Sequence, residues 1–219
     1  MENLLIMQLI VFSGLPGTGK SALAEETARR IGAPVFAKDW LEASIVRSGM
    51  TESAEARQQL GWAGYELLTT LAERQLRLEQ SVILDSVAST ESIRSAWRSL
   101  AVAHGAQWRV IECVCSDENV HRARLAMRKR NIPGWPELTW SEVERVRAYF
   151  TPWRDDRLTV DAMLPMHQNL VSVLAYLDGH APTTRATPAS GQASQSAQPF
   201  QAKRTTEPVA VGHLARLAA

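Results

Sequence analysis

Up to about Gly179, apolar positions come in two alternating textures. Short continuous runs give way to segments whose apolar residues return every three or four positions. The runs predict strands at "LIMQLIVFS", at "APVFAKD" ending on Asp39, and at "SVILDS", "QWRVIECVC" and "RLTVDAM". The helix-period segments fall between them. "GKSALAEETARRIG" is predicted to stop at Gly32, and "WLEASIVRSG" to form a short helix. Residues 54–80 carry Leu60, Leu67, Leu71 and Leu78 and predict one long or broken helix, with Gly61 and Gly64 as weak points. Three more helices follow in "TESIRSAWRSLAVAHG", which has a T-x-x-S start, in "SDENVHRARLAMRKR", capped by Ser116 or Asp117, and in "TWSEVERVRAYF". "NIPGWPEL" reads as a loop and "HQNLVSVLAYLDG" as a last helix.

Strand–helix alternation of this kind predicts an α/β architecture, a parallel sheet with helices on both faces. Strands buried on both faces are apolar throughout rather than alternating, as "LIMQLIV" is. Ligands in such sheets gather at the carboxyl ends of the strands. That rule brings Ser13–Gly14, Asp39, Asp85 and Cys115–Asp117 together in space. Past Asp178 the chain turns to Ala, Pro, Thr, Ser and Gln, which cannot bury enough apolar surface to offset ordering entropy. The expected organisation is one domain over residues 1–179 and a disordered tail over 180–219.

The most specific pattern follows the first strand. Gly14-Leu15-Pro16-Gly17-Thr18-Gly19-Lys20-Ser21 fits G-x-x-x-x-G-K-S, the Walker A phosphate loop, without a mismatch. Glycines let the backbone wrap so that successive N–H groups face phosphate oxygens, and the start of the next helix adds its positive end. Lys20 supplies a mobile charge for the β- and γ-phosphates, and the Ser21 hydroxyl is a ligand for Mg²⁺. A magnesium nucleotide is the expected ligand.

Further residues bear on what the nucleotide is used for. Asp39 can orient or deprotonate an attacking hydroxyl, or cap the helix starting at Trp40; both readings are open. Asp85 can hold Mg²⁺, often through water, or face the acceptor. Arg124 and Arg128, at i and i+4, share a helical face and are predicted lid residues that close over the phosphates, with Arg122 and Arg130 as further candidates. A solvated basic face, or an RNA-binding one, is the plainer alternative. Trp135, Trp140 and Trp153 either line an acceptor cavity or simply pack. His104, His121 and His167 show no ligand spacing and carry no predicted role.

Composition changes little. Net charge is +1, so no bulk attraction to nucleic acid or membrane is expected. Two cysteines, Cys113 and Cys115, are predicted to be buried reduced thiols on one side of a strand. The apolar start lacks preceding Lys or Arg and an A-x-A site, and no run reaches the ~20 residues of a membrane helix. A cytoplasmic protein with no membrane association is the expectation.

"GLPGTGKS", "AKDW", "SVILDS", "RARLAMRKR" and "PWRDDRLTVDA" together resemble the P-loop kinase-like family labelled AAA-33 or zeta-toxin-like. It includes polynucleotide 5′-hydroxyl kinases and chloramphenicol phosphotransferase. The resemblance implies a three-layer P-loop NTPase fold with a five-stranded parallel sheet in the order 2-3-1-4-5 and an Arg-bearing lid. It implies ATP and Mg²⁺ as ligands, with transfer of the γ-phosphate to an acceptor hydroxyl. It places the acceptor-activating carboxylate at Asp39, Arg124 and Arg128 in the lid, and the adenine beside the loop after "RLTVD". Polynucleotide kinases of the family carry an arginine shortly after that carboxylate, where this chain has Glu42. An acid there disfavours a nucleic-acid phosphate and points to a neutral or cationic small molecule, although Lys38 and Arg47 lie close by in sequence. The alternatives are a nucleic-acid 5′-hydroxyl kinase and a nucleotide-dependent switch with slow hydrolysis; the N-K-x-D motif of GTP-selective switches does not occur in the chain.

Overall fold

The computed structural model describes residues 6–179. The expected tail over 180–219 lies outside the described residues, as do residues 1–5.

Five strands form one sheet, every pairing parallel, in the order β2-β3-β1-β4-β5. They are β1 (Gln8–Ser13), β2 (Val35–Ala37), β3 (Val82–Asp85), β4 (Gln107–Val114) and β5 (Leu158–Asp161). The helices between and after them are α1 (Lys20–Ile31), α2 (Lys38–Arg47), α3 (Ala54–Leu76), α4 (Glu91–Ala103), α5 (Glu118–Met127), α6 (Trp140–Tyr149) and α7 (Met166–Leu177).

The side-chain alternation of β1 shows why its sequence is apolar throughout. Ile10 and Phe12 enter one core with Leu23 and Ala24 of α1 and Leu170 and Val173 of α7. Leu9 and Val11 enter the other, with Leu68 and Ala72 of α3 and Trp97 and Ala101 of α4. Every residue of β1 is buried, so the sheet is the middle of three layers.

The departures from the sequence-based boundaries have local causes. β2 stops at Ala37 because its partner runs out: Ala37 pairs with Asp85, the last residue of β3. Lys38 and Asp39 therefore open α2 instead of closing a strand. The cap reading of Asp39 is not realised either, since the N-cap is Ala37 and carries no side-chain hydrogen bond. Helix α3 runs unbroken through Gly61 and Gly64. Thr90 occupies the N-cap of α4, but its hydroxyl meets Ser92 rather than the backbone. Asp117, not Ser116, caps α5, accepting from Val120 N–H at 3.0 Å. That helix ends at Met127 and not at Arg130, and Arg128 is extended. The predicted i, i+4 helical face of Arg124 and Arg128 is thus not formed. Cys115 lies beyond the end of β4 and is half-buried, so only Cys113 is a buried thiol; both are free. Among the described residues no helix is long and apolar enough to cross a membrane.

Candidate active site

The phosphate loop leaves β1 at the carboxyl edge of the sheet and enters α1 through Gly19 at the N-cap. Gly14 must be glycine because a Cβ there would sit 2.2 Å from the Cys113 carbonyl oxygen of β4. Inside the loop Thr18 ties back on itself, its N–H and its hydroxyl both donating to the Leu15 carbonyl at 3.4 and 2.9 Å. The base of the loop is anchored as well. Ser13 Oγ donates to the Val87 carbonyl at 2.7 Å and accepts from Trp153 Nε1 at 3.1 Å. Trp153 is therefore a core residue. Arg94 lies 3.8 Å from its ring centroid, buried, with Nε on the Ala88 carbonyl and Nη1 on the Pro152 carbonyl.

Lys20 and Ser21 face a cavity of about 720 Å³ that also receives Asp39, Asp85, Arg128 and Arg130. The start of α1, the first turn of α2, the end of β3 and the segment after α5 thus meet in one place. Asp85 is almost fully buried, and its Oδ1 has no hydrogen-bond partner. Burial pushes its carboxyl above the usual carboxylate range, against the pull of Lys20 and Ser21 beside it. A buried carboxylate oxygen without a partner costs free energy unless something occupies it. A hydroxyl, a carboxylate oxygen and room for phosphate oxygens and water are a donor set that suits Mg²⁺, which uses few protein ligands. Among the described residues no cluster of three or more His, Cys, Asp or Glu side chains is placed to hold a metal by itself.

Asp39 stands at the first turn of α2, and its Oδ2 accepts from Arg130 Nη1 at 2.6 Å. Arg130 is itself held by the loop that follows it. Its backbone N–H and Nε donate to Glu137 at 2.7 and 3.3 Å, and Nη2 donates to the Pro136 carbonyl. A continued α5 could not make these contacts, which accounts for its early end. Arg47 of α2 donates to the Pro133 carbonyl at 2.8 Å, so two arginines fasten α2 and this loop together. Trp135 lines the cavity from the same loop.

Of the predicted lid pair, Arg128 lines the main cavity and also a smaller recess of about 350 Å³ with Gly17, Gly19, Lys20 and Ser21. Burial, then Arg130, lowers the Arg128 pKa from its ordinary value. Arg124 lines only the smaller recess and donates from Nη1 to the Ala162 carbonyl after β5 at 2.6 Å.

Glu42 does not present the free negative charge expected of it. It is buried and ion-paired to Lys38 one turn earlier on α2. Burial raises its pKa while Lys38 lowers it. The pair lies against Gly61 and Gly64 of α3, the glycines that looked like weak points; they make room for it. Lys38 Nζ also sits 4.7 Å from the Tyr65 ring centroid. Tyr65 lines the cavity, its phenol pushed up to about 12 chiefly by burial. Neutralisation of Glu42 removes the electrostatic ground for a neutral or cationic acceptor.

His121 carries no predicted role, yet it is buried directly beneath the phosphate loop, Nε2 lying 2.7 Å from the Pro16 carbonyl oxygen. His121 and Leu125 are the buried residues of α5, and their four-residue spacing is the sequence signal of an inward face.

A parallel 2-3-1-4-5 sheet with a Walker A loop after β1 defines a P-loop fold of the kinase type. The chain matches the AAA_33 family (AAA domain) over residues 9–153 and belongs to it. No curated protein matches it by sequence. Among solved structures it is similar to a candidate kinase from Chloroflexus aurantiacus J-10-fl, at 22% identity and TM-score 0.62, over 82% of this chain and 100% of that one. It is similar to a gluconokinase from Sinorhizobium meliloti 1021, at 19% and 0.59, over 80% and 93% of the two chains. The Mycobacterium tuberculosis APS kinase CysC, in complex with AMPPNP and APS, aligns at 17% and 0.54, over 79% and 98%. These identities establish a shared fold.

Proposed function

We propose that the protein transfers the γ-phosphoryl group of Mg-ATP to a hydroxyl of a small-molecule acceptor. One observation carries the reading: the phosphate loop, the unpartnered Asp85 oxygen and the Asp39 carboxylate open onto the same cavity. The kinases among the structural relatives, and the AMPPNP bound in one of them, support it.

The roles follow from position. The loop N–H groups and Lys20 hold the polyphosphate, and Arg128 neutralises charge spreading onto the transferring group. Ser21 and Asp85 would hold Mg²⁺, which when bound neutralises phosphate charge. Asp39 orients the acceptor hydroxyl and takes its proton. The loop after α5, fastened to α2 by Arg130 and Arg47, walls the cavity and keeps water from competing with the acceptor.

The cavity also bears on the acceptor. Arg57, Arg128, Lys129 and Arg145 line it, and among the described residues none has a carboxylate within ion-pair distance. Of the carboxylates on the same cavity, Glu42, Asp39 and Glu25 are ion-paired, Glu142 is held by Thr139 and Asp85 is the one proposed for Mg²⁺, so a hydroxyl compound bearing an anionic group fits the basic part of this wall. A nucleic-acid 5′-hydroxyl is the second reading, now free of the objection from Glu42.

The test is acceptor-stimulated ADP release from Mg-ATP. Hydroxy acids, neutral polyols, amino alcohols and 5′-hydroxyl oligonucleotides are compared, with Lys20→Ala as the blank. Stimulation by a hydroxy acid supports the reading; stimulation by oligonucleotides alone moves the protein to the second reading. Basal hydrolysis that no hydroxyl compound stimulates removes the transferase reading in favour of a switch.

A further inference from the structure

His121 is buried on the inner face of α5, directly under the phosphate loop. Its Nε2 is 2.7 Å from the Pro16 carbonyl oxygen. A carbonyl oxygen only accepts, so Nε2 carries the hydrogen and donates. Contact with the next residue is equally close. Gly17 has φ +90°, and a Cβ there would lie 2.9 Å from His121 Nε2 and 3.2 Å from Leu125 Cδ1. His121 and Leu125, one turn apart on α5, therefore form the floor on which the loop rests.

The planar trans peptide gives that contact a chemical consequence. The Pro16 carbonyl and the Gly17 N–H belong to one rigid unit and point in opposite directions. Drawing the carbonyl down onto the imidazole turns the Gly17 N–H up, away from α5. Among the described residues that N–H has no hydrogen-bond partner. The preceding carbonyl, that of Leu15, is held separately by Thr18. The Pro16–Gly17 peptide is the member of this turn whose orientation depends on a residue far away in sequence.

We infer that His121 is a positioning residue for nucleotide binding: its Nε2–H holds the Pro16–Gly17 peptide so that the Gly17 N–H is aimed at a phosphate oxygen. This rests on the reading of the loop as a nucleotide site and adds to it a residue that the loop motif does not contain. Such preorganisation matters because an amide already oriented loses no conformational freedom when phosphate arrives.

The experiment is calorimetric titration of Mg-ATP into wild type, His121→Phe and His121→Gln, each checked for folding by circular dichroism and thermal melting. Phenylalanine keeps the ring volume and removes the donor. Glutamine places an N–H at similar reach. His121→Phe is expected to bind about tenfold more weakly and His121→Gln within about threefold of wild type. A purely structural role would move melting temperature without this split in affinity. Equal affinity for wild type and His121→Phe overturns the inference and leaves the nucleotide site standing. Weak binding by a well-folded His121→Gln also overturns it, and decides the matter should His121→Phe not fold. Wild type that takes up no Mg-ATP overturns the inference and the nucleotide-site reading together.

Discussion

Arg130 donates from Nη1 to Asp39 Oδ2 at 2.6 Å, joining residues 91 positions apart. The carboxylate proposed to receive the acceptor proton is also where the loop after α5 docks on α2. Arg130 can do this because Glu137 and the Pro136 carbonyl already hold it, leaving its side chain only 4% exposed. The contact that helps wall the cavity is thus the one that holds Asp39. Arg130→Ala is expected to raise ADP release from Mg-ATP without acceptor by a few-fold and to lower acceptor-stimulated release by about tenfold. Both are read by a coupled assay for ADP. Unchanged coupling between the two rates would separate Arg130 from water exclusion.

Asp39→Asn keeps the shape and hydrogen-bonding reach of the side chain and removes its basicity. Acceptor-dependent transfer is expected to fall by about 10²–10⁴-fold, with Mg-ATP affinity within about threefold of wild type. Rapid-quench transfer and calorimetry on the same preparation measure the two. Lys20→Ala is expected to lose both, weakening Mg-ATP binding by about two orders of magnitude and abolishing transfer.

Gly61 and Gly64 share helix α3 and face the same Lys38–Glu42 pair at different distances. A Cβ at Gly64 meets Glu42 Cγ at 2.9 Å, whereas one at Gly61 finds nothing nearer than Glu42 Oε1 at 3.9 Å. Gly61→Ala is expected to stabilise the protein by about 0.5–1 kcal/mol through helix propensity. Gly64→Ala is expected to destabilise it by about 1–3 kcal/mol, since the buried ion pair must shift. Urea midpoints at constant slope check both signs.

Asp155 lies in the segment between α6 and β5, its side chain 10% exposed. Burial raises its pKa, but two hydrogen bonds from Arg98, at 2.6 and 2.8 Å, and one from Trp108 outweigh it, and the net direction is down. A carboxyl with a lowered folded pKa binds fewer protons folded than unfolded. Its stabilising contribution is then complete above the ordinary value of 3.8 and is lost as pH falls below it toward the folded pKa. Asp155→Asn is expected to lower stability at neutral pH and to flatten the acid limb of the stability curve below about pH 4. Urea unfolding as a function of pH measures the change of slope.

Much of this protein was legible in one dimension. A fully apolar β1 followed by G-x-x-x-x-G-K-S specifies a strand buried on both faces and a loop that turns into a helix, because burial and glycine geometry are local demands. The alternation of the remaining elements specifies the parallel class. Whether Asp39 closes β2 or opens α2 was not legible: β2 ends where its partner β3 ends, a matter of register between strands. The lid arginines went the same way, since α5 stops where Glu137 and Asp39 capture Arg130. Glu42 read as a free charge until α2 brought Lys38 alongside it and α3 buried the pair. His121 read as nothing, because what gives it a role is the Pro16 carbonyl, 105 positions earlier. Sequence alone determined the elements and the phosphate loop; only tertiary structure decided which charges are neutralised, which carboxylate oxygen is left unpaired and what the loop rests on. Pairing and burial depend on neighbours distant along the chain, and those become neighbours only when the sheet and its helices assemble.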